Sequence, residues 1–256
     1  MNRDDQTQMG GQDDGFHTTH WTEIIGARAQ DDARRIAALN QLVSRYWRPV
    51  YCYLRQKGHD RESAKDLTQG FFHEVVLSRG LVRQADRARG RFRNLLLTAL
   101  NNYVKSVRRA QTAKKRAPAE GLASLDAMDL PDCPELRDMF TPEDAYHYAW
   151  ACSLLDGVLS ELEKSCRRNA QAVHWEVFCA HLLKPIMEDA EAPPLAELCA
   201  RHGIADKAKA SNMIVTVKRQ FERLLRQQVR QLVDADEEVE QEIVALMQIL
   251  SRSGAG

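Results

Sequence analysis

The chain has 256 residues, 44% of them hydrophobic, and its 36 basic and 36 acidic side chains balance to a formal charge of zero. That length suits one large domain or two small ones, and no stretch approaches the roughly 20 apolar residues of a spanning helix or the apolar run of a signal peptide, so a soluble, cytoplasmic protein with no membrane partner is expected. Six cysteines, at 52, 133, 152, 166, 179 and 199, form no CxxC pair and read as small apolar residues of a reducing compartment, which argues against a disulfide scaffold.

Apolar residues recur at helical spacing almost throughout, and no alternating strand or Asn-Gly hairpin pattern interrupts them. The expected fold is all-α, with two helical domains joined by an acidic, proline-containing linker and a helix-turn-helix in the C-terminal domain. Residues 1–16 are polar and are expected to be disordered; the first domain then covers 17–116. Its first helix is predicted from Asp32 to Leu54 on Ile36, Leu39, Leu42 or Val43, Tyr46, Val50, Tyr53 and Leu54. Pro49 is expected to kink or divide it, since proline removes a backbone donor and clashes with the preceding turn. Gly-His-Asp at 58–60 marks the break. In the next helix, RESAKDLTQGFFHEVVLS, the residues Ala64, Leu67, Phe71 and Val75 form one stripe, and Asp66, Gln69 and His73 another.

The third helix lies in RARGRFRNLLLTALNNYVKSVRRAQTAKKR, residues 87–116. After Gly90 no glycine or proline interrupts Arg91 to Ala117, so a long helix is predicted. Leu96, Leu100, Tyr103 and Val107 bury one face and leave Asn101, Lys105, Arg108 and Arg109 outward. Residues 83–116 carry eleven Lys and Arg against one acid, Asp86. Residues 117–200 reverse this with five basic and sixteen acidic side chains. Within them, four prolines and a glycine in 117–142 mark the linker.

The second domain, 143–233, opens on a capping signal at Thr141 and Pro142, followed by periodic Tyr148, Ala151 or Cys152, Leu155, Val158 or Leu159, and Leu162. AVHWEVFCAHLL supplies a further helix. From Pro194 a short helix, a turn at His202 and Gly203 and a long basic helix follow. Residues 201–232 hold eight basic and two acidic side chains, and DADEEVEQE adds six acids. An acidic amphipathic helix and tail, 234–256, closes the chain through Val239, Ile243, Leu246 and Leu250. Two basic blocks around an acidic middle point to two separate contacts with a polyanion, because phosphate neutralisation follows local density and not the chain total. The competing reading is ordinary charge segregation on solvated helices.

The segment from Pro194 to about Arg223 has the makings of a helix-turn-helix. Leu195 and Leu198 pack the first helix, Gly203 allows a left-handed turn, Ile204 plugs the corner, and Ile214, Val217, Phe221 and Leu225 anchor the second helix. Lys207, Lys209, Ser211, Asn212, Thr216, Lys218 and Arg219 stay outside, a mixture suited to phosphates and base edges. The motif wants an apolar residue about six positions past the glycine, where Lys209 stands, and the first apolar pair is Met213 and Ile214. Either the turn is lengthened by about four residues or this is a plain helical hairpin. Cys179 with His181 and Cys199 with His202 are the candidate metal pairs, but both cysteines also fit apolar stripes, so no metal is expected. No GxSxG, HExxH, glycine-rich phosphate loop or DxD cluster is present, so neither catalysis nor a cofactor is expected.

The order of YWRPVYCYLRQKG, then DLTQGFF, then a long basic helix with aromatics, an acidic linker and a helix-turn-helix resembles bacterial sigma factors. The likeness is to the compact extracytoplasmic-function type, and most closely to the divergent group that opens with a stretch like TTHW, Thr18 to Trp21. AKDLTQGFF is similar to that family's DLxQExF, with Gly70 where glutamate is usual. The resemblance implies a factor that binds core RNA polymerase and promoter DNA without catalytic activity. Asp66, Thr68, Gln69 and His73 would dock on the β′ coiled coil, and the C-terminal module would sit near the β flap. Arg91, Arg93, Asn101, Asn102, Lys105, Arg108, Arg109, Lys114, Lys115 and Arg116 would hold and help melt the minus-ten element. Lys207, Lys209, Ser211, Asn212, Thr216, Lys218 and Arg219 would read the minus-thirty-five element. An anti-sigma factor is left open as a further partner. Two alternatives stand beside this: a helix-turn-helix regulator that binds duplex operator without polymerase, and a degenerate sigma-like interaction protein.

Overall fold

A computed structural model describes residues 32–78, 81, 91–111, 141–233 and 235–251; the N-terminal stretch with TTHW, nearly all of the linker, and Lys114, Lys115 and Arg116 lie outside them. Among the described residues every regular element is a helix, and none is long and apolar enough to cross a membrane.

Helix α1, Asp32–Gln56, continues through Pro49, so of the expected kink or division the division does not occur. Val50, Tyr51, Cys52, Tyr53 and Leu54 are all buried in succession, so neighbours enclose this half of the helix on every side and hold it past the missing donor. Cys52 is disulfide-bonded, which departs from the expectation of thiols alone, while Cys152, Cys166, Cys179 and Cys199 are free.

Gly58, at φ +88°, turns the chain, and Asp60 caps the next helix by accepting from Ser63 N at 2.9 Å. Helix α2, Arg61–Phe71, continues into a π-helical stretch, Phe72–Ser78. The wider turn directs Phe71, Phe72, Val75 and Val76 inward together. Helix α3, Phe92–Gln111, lays Leu96, Leu100, Tyr103 and Val104 into the same core. Burying each such large side chain contributes on the order of 1.5 to 3 kcal/mol.

Gly70 has a local cause: a Cβ there would collide with Oη of Tyr103, whose ring is buried with its centroid 5.7 Å from that of Phe71. We predict that Gly70→Ala destabilises the protein, although alanine is favoured by about 1 kcal/mol in a helix interior. In a Tyr103→Phe background the same change should become neutral or stabilising. Urea denaturation of the four proteins checks this; the same cost in both backgrounds would contradict it.

Helix α4, Pro142–Arg168, begins with a capping box in which Thr141 and Asp144 bond each other's backbone. It buries Tyr146, Trp150, Leu154, Val158, Leu162 and Cys166, whereas Tyr148, expected on the stripe, is half-buried. The reason is that α4 packs first along α1 and then against the helices that follow it. Arg48 Nη1 also donates to Asp156 Oδ2 at 3.1 Å across the α1–α4 contact. One apolar cluster therefore continues from α1 to the C-terminal helix. The helix after the linker returns onto α1, a long-range packing that composition does not report.

Helix α5, Ala172–Phe178, passes through a π-helical stretch, Cys179–Leu183, into the short α6, Lys184–Glu188. Helix α7, Leu195–His202, ends at Gly203 with φ +63°, and α8, Lys207–Arg230, starts at once behind Asp206, whose carboxylate accepts from Lys209 N at 2.7 Å. No lengthened turn is present: the first inward residue of α8 is Ala210, which is fully buried. This small side chain stands one position beyond Lys209, where the motif wants an apolar residue and where the side chain is exposed. Helix α9, Glu238–Ser251, packs on α4 and α8.

Candidate nucleic-acid interface

The outward side of α3 follows from its buried side. With Phe92, Leu96, Leu100, Tyr103 and Val104 inward, Asn94, Thr98, Asn102, Lys105, Arg108 and Arg109 are exposed. Steps of three and four place Asn94, Thr98, Asn102, Lys105 and Arg109 along one line, polar at its start and cationic at its end. Asn94 and Thr98 were missed in the sequence reading, though counting back by fours from Asn102 reaches both. Thr98 Oγ1 is partly committed, since it donates to Asn94 O at 2.9 Å. Arg108 and Arg109 also sit in the last turn, where cations complement the carbonyl end of the helix.

Asn101 is placed differently from the expectation. It is half-buried and accepts from the Tyr53 hydroxyl, while its amide donates to Glu143 Oε1 at 3.5 Å. Burial, helped by the Glu143 carboxylate, pushes the Tyr53 hydroxyl well above its ordinary pKa, so it stays a donor. This bridge ties α1, α3 and α4 and explains why the Asn101 side chain is turned inward.

Arg91 and Arg93, expected to be outward cations, are engaged within the protein. Arg93 is 6% exposed and Glu242 of α9 is 0% exposed, and the two form an ion pair. Arg91 Nη2 lies 2.7 Å from the other oxygen of the same carboxylate. The Arg93 guanidinium also stacks over the Trp150 ring, 4.1 Å from its centroid, and its carbonyl accepts from Tyr146 Oη at 3.1 Å. Burial together with the Arg93 charge holds nearby His147 below the usual histidine range. Helical spacing showed neither arginine's partner, because 149 residues separate Arg93 from Glu242.

On α2 Asp66 is exposed and Gln69 half-buried, and His73, half-buried, follows in the π-helical stretch; with Glu62 they stand at steps of three and four in the sequence. Thr68 corrects the sequence expectation: it is 1% exposed and donates to Ala64 O at 2.7 Å. A threonine that satisfies its hydroxyl within its own helix packs as an apolar residue.

On α8, Lys207, Lys209, Ser211, Asn212, Lys218 and Arg219 are all exposed, with Val215 among them. Thr216 is half-buried and donates to Asn212 O at 2.8 Å. Ile214, Val217, Leu224, Leu225 and Val229 fasten the opposite side. The arrangement is a short helix, a four-residue turn and a long helix whose first half presents amides, hydroxyls and cations to solvent.

The two Cys/His pairs are used in packing. His181 Nδ1 meets Pro193 O at 3.1 Å and His202 Nδ1 lies 3.3 Å from Glu176. Burial pushes the Cys179 thiol up to about 11, which keeps it neutral near pH 7. Among the described residues no group of three or more His, Cys, Asp or Glu is placed to hold a metal ion.

No protein-family model, curated protein or solved structure matches the chain.

Proposed function

We propose that this chain is a transcription initiation factor of the sigma type, which binds core RNA polymerase and directs it to a subset of promoters. The observation that carries the reading is the exposed polar-to-cationic line on α3, Asn102 through Arg109, later in the chain than a helix whose edge presents Asp66 and Gln69. A melted strand needs cations for its phosphates and amides or hydroxyls for unstacked bases, and this line offers both in sequence order. In this reading α7 and α8 form a helix-turn-helix that reads the minus-thirty-five element with Lys207, Lys209, Ser211, Asn212, Lys218 and Arg219. Thr216 takes a secondary part, since its hydroxyl is already bonded. Residues 17–116 then act as the polymerase-binding and minus-ten module, and 143–233 as the second module. The protein performs no chemistry itself; it positions polymerase and traps bases of the non-template strand.

Asp66 supplies the test of the polymerase contact. Its carboxylate is exposed, so Asp66→Ala should leave the fold intact while weakening binding to core polymerase by about tenfold, the scale of one good charge-assisted contact. Equal affinity in a pull-down titration, with unchanged circular dichroism, would remove Asp66 from the interface.

A second reading draws on the α7–α8 unit alone. A four-residue turn followed by an outward face of amides and cations also suits duplex operator binding without polymerase. The two readings part on whether core polymerase is retained.

A further inference from the structure

Among the described residues, Arg93 and Glu242 are the only charged side chains that are buried. Glu242 lies on the same side of α9 as Val239 and Leu246, at a position where a leucine would pack without taking a charge out of water. What makes the carboxylate tolerable there is its charge pairing with Arg93 and with Arg91, which lies 2.7 Å from Oε2 without hydrogen-bonding it. The same acidic segment grips α8 as well, through Glu240 to Arg226 and Asp236 to Arg230. The α8 pairs are exposed and contribute little, so besides apolar contact it is the buried cluster of Glu242 with Arg91 and Arg93 that ties α9 to the start of α3.

Resting on the proposed promoter-binding role of α3, we infer that α9 is an autoinhibitory strap: Glu242 occupies the two arginines that a DNA phosphate would take. A carboxylate and a phosphate are alternative anionic partners for one pair of guanidinium groups, so strap and strand exclude each other at this place. The Trp150 contact does not involve α9, so the Arg93 guanidinium keeps its platform when α9 leaves and faces the vacated side. Polyanion binding and release of α9 are thus one equilibrium, and the closed population lowers the apparent affinity for DNA.

The test uses the full chain and a labelled single-stranded DNA of mixed sequence. Glu242→Gln keeps the shape of the side chain and removes the charge. It should tighten binding by about tenfold near 0.1 M salt, and steepen the log–log salt slope by about 1.4, or two added phosphate contacts at roughly 0.7 each. Hydrogen exchange on the unmodified chain gives a second measurement that does not depend on the variant folding: adding the DNA should speed exchange of the 238–251 amides. Unchanged or weaker binding by Glu242→Gln overturns the strap, and so does unchanged or slower exchange of α9. The Arg108→Ala, Arg109→Ala double variant separates this failure from that of the underlying reading. If that variant loses affinity while Glu242→Gln gains none, the strap falls and the DNA-binding face stands; if neither moves binding, both fall.

Discussion

Replacing Arg93 with alanine is expected to lower the unfolding free energy by about 3 kcal/mol, because it leaves the carboxylate of Glu242 buried with half its compensation. Two losses combine. Glu242 is 0% exposed and would keep only Arg91, and Trp150 would lose the guanidinium stacked 4.1 Å from its ring centroid. The cost of a broken buried pair comes mainly from the charge left behind. The double change Arg93→Met, Glu242→Leu should therefore recover most of the stability, since it removes both charges and fills similar volume. Urea denaturation of wild type, Arg93→Met, Glu242→Leu and their double gives the coupling directly, with Arg93→Ala measured beside them. A loss below about 1 kcal/mol in Arg93→Ala, or a double variant no better than the singles, would show that the pair is solvated and not structural.

Loss of Arg108 and Arg109 together is expected to weaken promoter opening by about tenfold and to reduce the salt dependence of binding. Each phosphate contact contributes a slope of about 0.9 on duplex DNA and about 0.7 on a single strand, so two lost contacts should flatten the slope by about 1.4 to 1.8. The fold should survive, because both side chains are exposed at the end of α3. Losing two cations from a helix C-terminus costs at most about 1 kcal/mol each through the helix dipole. Binding by filter retention or fluorescence anisotropy, repeated across salt, checks the claim. Unchanged affinity at every salt would remove α3 from the DNA-binding surface.

The parts of the fold that depend on neighbours in sequence were legible. Thr141 and Pro142 form the helix start expected of them, Gly58 and Gly203 turn the chain in the left-handed region, and Leu96, Leu100 and Tyr103 bury one side of α3. Such features follow from 3.6-residue periodicity and capping, which act over a few residues. Features set by distant partners were not legible. Pro49 reads locally as a break, yet surrounding core packing carries α1 through it. Thr68 counts as polar by type, but its bond to the Ala64 carbonyl lets it pack like valine. Arg93 and Glu242 each look like a solvated charge until the α3–α9 contact brings them together. Ala210 was passed over because small residues contribute little to an apolar pattern, although it is fully buried. Within the candidate interface, the line from Asn102 to Arg109 was visible as the complement of the apolar stripe. The inward turn of Asn101 was not, because it depends on Tyr53 and Glu143 from other helices.

Polymerase binding is the property on which the proposed function turns. The most direct measurement adds the purified chain to bacterial core RNA polymerase with a pool of genomic DNA fragments, and scores both stable association and discrete run-off transcripts. The account predicts co-migration with core polymerase and transcripts that start at defined sites only when the chain is present. A chain that neither associates with core polymerase nor yields transcripts, while still binding duplex fragments by itself, would contradict it.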